Sequence, residues 1–276
     1  MSLELDARQR AMLAEMGVRV WQPESPLGRM DDAPPSPPRG GEAAVAAAAA
    51  PVARPVAGAV TPVHEPVPLV AQALPADIAA LDWDALEQAV AACQACGLCQ
   101  SRKNTVFGVG DRRARWLVVG EAPGEQEDLQ GEPFVGQAGQ LLDNMLKAIG
   151  LDRSASGDHG VFIANVLKCR PPANRNPQPE EVAKCEPYLR RQVELLQPQI
   201  ILALGRFAAQ SLLQASVPDV AALPLGKLRG QVHRYQGVPV IVSYHPAYLL
   251  RTPQDKAKAW ADLCLALDAV QRMPAR

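Results

Sequence analysis

Residues 116–128 read WLVVGEAPGEQED, and the fold is decided there. An apolar run ends on Gly120 and gives way at once to an acidic loop rich in glycine and proline. A short apolar run bounded by turn residues is the pattern of a strand buried on both faces. Three more runs repeat it: Val161–Asn165 (VFIAN), residues 200–205 (IILALG) and Val238–Ser243 (VPVIVS). Between them Leu141, Leu142, Met145, Leu146 and Ile149 recur at helical spacing, and residues 182–196 and 207–213 also read as helical. Pro187 is expected to split the first of these, because a proline inside a helix removes a hydrogen bond and crowds the preceding turn. Near the C-terminus Trp260, Leu263, Cys264 and Leu267 follow the i, i+3, i+4, i+7 stripe of an amphipathic helix. The alternation predicts an α/β fold: a three-layer sandwich with a central four-stranded parallel sheet between helices.

In such sheets ligands bind beyond the carboxyl ends of the strands, so the residues just after each strand carry the functional information. The first run leads into Gly120-Glu-Ala-Pro-Gly124 and then Glu125, Gln126, Glu127 and Asp128; the second ends in Asn165; the last leads into Ser243-Tyr-His245-Pro-Ala-Tyr-Leu-Leu-Arg251. An acidic loop, an amide and a histidine can therefore converge on one pocket. Taken singly, each has a plainer reading. Phe134 is a core residue as readily as a pocket wall, Asn165 a loop cap, and His245 a structural histidine before a proline. Glu125 and Asp128 read as solvated or loop-bracing, and His64, His159 and His233 show no ligand spacing.

Four of the six cysteines form two distant pairs, Cys93 with Cys96 and Cys169 with Cys185. A CxxC turn can place two thiolates on one metal or cluster, and two distant ligands would complete a four-cysteine shell. Zinc accepts the same four thiolates as an iron–sulfur cluster, and Cys99 competes as a ligand by its spacing. Cys264, on the apolar stripe, reads as an inert core thiol.

The first 76 residues hold 12 of the 26 prolines, and residues 41–59 are almost wholly alanine, valine, glycine and proline. Such a segment cannot bury enough apolar surface to offset its ordering entropy, so residues 23–75 are expected to be a disordered linker. Residues 76–276 are long enough for one well-packed domain. Net charge is −1, with −2 in residues 1–76 and +1 in the remainder. The run Arg102, Lys103, Arg112, Arg113, Arg115 is compatible with a DNA-facing patch or a solvated surface alike. The N-terminus has no apolar signal core and no run is long enough to span a membrane, which leads us to expect the bacterial cytosol or nucleoid.

The motifs GEAPGEQED, GEPFVGQAG, IANVLKCRPPANRNP and HPAYLLR, in this order and with this cysteine spacing, resemble family 4 of the uracil-DNA glycosylases, the iron–sulfur branch of that superfamily. The likeness covers residues 88–270. It implies a 4Fe-4S cluster on Cys93, Cys96, Cys169 and Cys185, favouring iron–sulfur over zinc. It further implies a monomeric enzyme that flips deoxyuridine out of DNA and hydrolyses its N-glycosidic bond. By that resemblance Phe134 stacks on uracil and Asn165 reads its edge. Glu127 closes the pocket near C5 against thymine's methyl group. Glu121 and Ala122 lie against the glycosidic bond and water, and His245 stands near O2. Family 1 enzymes carry an aspartate where Ala122 stands, so Glu121 is expected to replace it, as a base or as a charge. The motifs are read as lacking a lysine, hence a monofunctional enzyme without lyase chemistry. Pro123, Gly124 and the HPAYLLR loop are expected to grip DNA, with Leu249, Leu250 or Arg251 as the inserted wedge.

Two other functions remain open: a related iron–sulfur protein that forms a covalent DNA adduct, and an electron carrier. The adduct-forming branch carries a histidine-containing loop after the second strand, which KCRPPANRNPQP lacks, and an electron carrier would leave the strand-end residues unexplained. Residues 1–22 read as a short amphipathic helix. They are similar to the start of the psi subunit of the bacterial clamp loader, which suggests a peptide that docks on a replication protein.

Overall fold

The computed structural model describes residues 77–273. The expected N-terminal helix and the 23–75 linker lie outside the described residues. The helices and strands run in the order α1 Trp83–Ala92, β1 Val109–Gly110, β2 Trp116–Gly120, α2 Glu125–Gln130, α3 Gly136–Ala148 and β3 Val161–Asn165. After these come α4 Pro179–Leu196, β4 Ile200–Leu204, α5 Arg206–Leu213, α6 Leu225–Leu228, β5 Val232–Tyr235, β6 Val238–Ser243, α7 Pro246–Arg251 and α8 Lys256–Gln271.

The sheet has the order β1-β3-β2-β4-β6-β5. Its central four strands, β3-β2-β4-β6, are parallel, as their continuous burial requires. Two antiparallel edge strands that the sequence did not reveal extend it: β1 pairs with β3 and β5 with β6. The first is two residues long, too short for any periodicity. The second, VHRY, is half exposed and enters a tight hairpin through Gln236 and Gly237, both at positive φ.

Side chains along each central strand alternate between two cores. Leu117, Val119, Phe162, Ala164, Ile201, Ala203, Val240 and Val242 pack with α1, α4 and α5. Trp116, Val118, Val161, Ile163, Ile200, Leu202 and Ile241 pack with α3, α7 and α8. This period-two division makes the three layers.

Pro187 does not split its helix. The helix runs unbroken from Pro179 to Leu196 with the proline inside. Cys185, Tyr188, Leu189, Gln192, Val193 and Leu196 are buried on both sides of it, and that packed face outweighs the roughly 3 kcal/mol an interior proline costs. Glu181 secures the start of α4, accepting from the Gln178 amide at 2.9 Å and binding the Arg175 guanidinium with both oxygens. No described helix is long and apolar enough to cross a membrane.

Candidate active site

The carboxyl ends of β2, β3 and β6 open into a cleft of about 460 Å³. Nine of the residues singled out in the sequence line it: Glu121, Ala122, Pro123, Gly124, Glu127, Phe134, Asn165, His245 and Arg251. Gly120, the last residue of β2, makes the convergence possible. A Cβ there would overlap both the Asn165 amide oxygen and the Phe134 ring. Bare backbone at 120 lets both side chains fold over the strand end.

Phe134 is buried, and its ring stacks on the His245 imidazole with centroids 5.3 Å apart and planes inclined by 27°. Its backbone is left-handed, φ 54°, a conformation costing a bulky residue about 1–3 kcal/mol. Its carbonyl lies so close to Gly139 of α3 that any Cβ at 139 would collide with it, so this approach requires glycine there.

Asn165 is 2 % exposed, and its Oδ1 is a buried acceptor with no partner. A buried oxygen that gives up water without replacement costs about 1–3 kcal/mol. The cleft thus presents an unfilled acceptor on its wall.

His245 caps α7, its Nδ1 accepting from the Ala247 amide at 3.2 Å. That bond leaves the proton of the neutral ring on Nε2. Burial, helped by the charge of Arg251, lowers the imidazole pKa to about 4, so the ring is neutral at physiological pH. Across the cleft, burial raises the Glu121 carboxyl to about 7.

Glu127 faces the cleft with both carboxylate oxygens engaged. One accepts from the Gly124 amide at 3.0 Å and the other from the Val135 amide at 2.9 Å. It ties the acidic loop to the segment carrying Phe134. Asp128 behind it is loop-bracing but not solvated. It is 2 % exposed and accepts from the Lys103 amide at 2.9 Å and the Asn104 amide at 3.3 Å.

Two expectations need correction. Leu249 is fully buried in the core beneath α7, so it cannot serve as a wedge; Leu250 is 41 % exposed, and Arg251 stands on the rim. The motifs also do contain a lysine, Lys168. It is buried, bound to the Phe107 and Asn165 carbonyls and to Gln192 Oε1, and burial lowers its pKa to about 7. It does not line the cleft, whose walls hold no lysine among the described residues. Residues the sequence did not suggest also line it, notably Arg175, Asn174 and Tyr248. Tyr248 carried a legible signal, standing three residues after His245 in a helix the histidine caps.

Beyond Ala122 lies the cysteine group. Cys93 caps the end of α1 and Cys96 opens the following turn. Cys169 follows β3, while Cys185 sits inside α4. Cys169, Cys185, Leu98 and Leu167 form one apolar cluster against which Cys96 and Ala122 pack. Burial pushes the Cys169 thiol up to about 11 and that of Cys185 to about 12, and the charge of each neighbouring sulfur adds to the rise. Arg102 Nη1 lies 3.0 Å from Cys169 Sγ, and its Nη2 donates to the Ala91 carbonyl at the end of α1. The Tyr188 hydroxyl is buried near the Cys93 sulfur with no partner in bonding geometry. Among the described residues no three His, Cys, Asp or Glu side chains stand tightly enough to share one ion.

The family profile of the Uracil DNA glycosylase superfamily matches residues 107–264. With more than half of its length matched in this way, the chain belongs to the uracil-DNA glycosylase superfamily. Within it, the strong likenesses are to type-4 members. The chain is 46 % identical over 175 residues to the type-4 uracil-DNA glycosylase of Archaeoglobus fulgidus, covering 62 % of this chain and 84 % of that protein. It is 39 % identical over 196 residues to that of Saccharolobus solfataricus, covering 69 % and 88 %. It is 42 % identical over 189 residues to that of Pyrobaculum aerophilum, covering 67 % and 93 %.

Proposed function

We propose that the chain is a hydrolytic uracil-DNA glycosylase that extrudes deoxyuridine, cleaves its N-glycosidic bond with water and leaves an abasic site for base excision repair. The orphaned Asn165 Oδ1 carries the reading. Uracil presents one N–H donor between two carbonyl acceptors, and an amide can accept from N3–H while donating to O4. Cytosine, with its amino group at C4 and bare N3, leaves both halves of that amide unmatched.

Phe134 offers the base a ring face. Glu127, pinned on two amides, closes the side on which thymine would carry its methyl group. Extrusion costs a few kcal/mol, least at a mismatch. Pro123 and Gly124 would approach the DNA backbone, Arg251 the phosphates, and Leu250 would fill the vacated stack.

Bond cleavage leaves negative charge on uracil O2 and positive character on the sugar. The neutral His245 ring donates from Nε2 to O2, and the Glu121 carboxylate faces the sugar and orients water. With no cleft lysine to attack the sugar, the chemistry ends at hydrolysis. A duplex containing one U opposite G should release uracil and give a strand break on alkali treatment; intact strands after incubation would overturn the reading.

The pH dependence follows from Glu121. Its carboxyl is protonated below about 7 and ionised above, so the single-turnover rate should climb with pH and level off above that value. His245, neutral throughout that range, adds no second break. Glu121→Gln should flatten the profile and lower the plateau about 10²-fold. A rate that falls across the same range would assign Glu121 the opposite protonation state.

The cysteine group fits a 4Fe-4S cluster. Cys93, Cys96, Cys169 and Cys185 would hold it, and Arg102 Nη1, 3.0 Å from Cys169 Sγ, would donate to that thiolate. When bound, such a cluster supplies metal–thiolate bonds that cross-link α1, the segment after β3 and α4.

A further inference from the structure

Phe134 is held in a backbone conformation it would not choose, and α3 alone does not hold it there. Arg153, in the loop after α3 and outside every motif, reaches back to this segment. Its Nη1 donates to the Pro133 carbonyl at 3.0 Å and its Nη2 to the Phe134 carbonyl at 3.1 Å. Its Nε donates to Asp143 Oδ1 of α3 at 2.7 Å, and its side chain is 17 % exposed. The two successive carbonyls, with the left-handed Phe134 between them, both aim at one guanidinium. The guanidinium is planar, so fixing Nε on Asp143 fixes the direction of both Nη donors. A lysine in this place could satisfy one carbonyl but not define the angle between two.

We propose that Arg153, oriented by Asp143, is a positioning residue that sets the Phe134 ring against His245 on the cleft wall, where a flipped base would stack. The inference rests on the reading of the cleft as a uracil site. Arg153 touches neither base nor DNA, and its effect passes through the ring.

Two measurements test it. The chain has four phenylalanines, so the holoprotein labelled with 4-fluorophenylalanine gives four fluorine resonances. Arg153→Gln and Arg153→Lys should each move or broaden the resonance that Phe134→Leu abolishes and leave the other three in place. Four unmoved resonances overturn the proposal whether or not the protein acts on uracil. In single-turnover uracil release, Arg153→Gln should lose on the order of 10- to 10²-fold, while affinity for abasic-site duplex stays within about twofold. In a Phe134→Ala background the same change should cost little more, since the ring it positions is gone. Additive losses, or equal losses of product binding and rate, would make Arg153 a general structural residue and overturn the proposal. A wild-type protein that releases no uracil yet shows the selective fluorine shift would sink the glycosylase reading and leave the positioning intact.

Discussion

Asn165→Ala should lower uracil release about 10³-fold, since a site built to bond a polar edge loses its discrimination when that bond goes, and it should do so without lowering the melting temperature. The two halves of this expectation come from one atom. Oδ1 is buried and unpartnered in the free protein, so its removal relieves the folded state of an unsatisfied acceptor while depriving the bound base of the group that reads N3–H. Most buried polar residues destabilise when truncated; a binding group left open for its ligand behaves in the opposite way. Single-turnover assays and thermal melts on the same preparations check it. A variant that melts well below wild type would mean Asn165 is a structural cap.

The second large effect is expected at Cys185. Its thiol is 4 % exposed inside α4, and as a ligand it would join that helix to residues nearly a hundred positions upstream. Cys185→Ala should yield protein without bound iron that melts on the order of 10 °C lower, as expected for loss of a few kcal/mol from a domain of this size. Activity should fall as a consequence, because the cysteine group packs against Ala122 in the cleft wall. Cys264→Ala, on the opposite core, should keep its iron. A colourless Cys185→Ala protein as stable and active as wild type would remove the cluster from both fold and function.

The four central strands were readable because burial on both faces leaves a continuous apolar run, and their ends pointed to the cleft because parallel sheets bind there. The edge strands were hidden by shortness and partial exposure. Leu249 and Leu250 differ by one position on a single helical turn, and only packing against the core decides which points inward. Pro187 was misjudged because a local rule took no account of the buried face that carries α4 through it. Lys168 lies inside the motif IANVLKCRPPANRNP, and its burial depends on Phe107 and Gln192, 61 and 24 residues away. Arg153, Asp128 and Arg102 act over separations of 19 to 67 residues. Their local sequence shows charge, and for Asp128 a place in a loop, but not the distant partners they hold.

Asp128 has a further consequence, in the order of assembly. Its carboxylate accepts from amides 24 and 25 residues earlier, and that upstream segment is in turn held by Arg102 on a cysteine 67 residues later. Contacts between distant residues form late, because the intervening chain must first be ordered. The Lys103–Asn104 segment that braces the acidic loop is therefore anchored from both sides only once the chain has folded through Cys169.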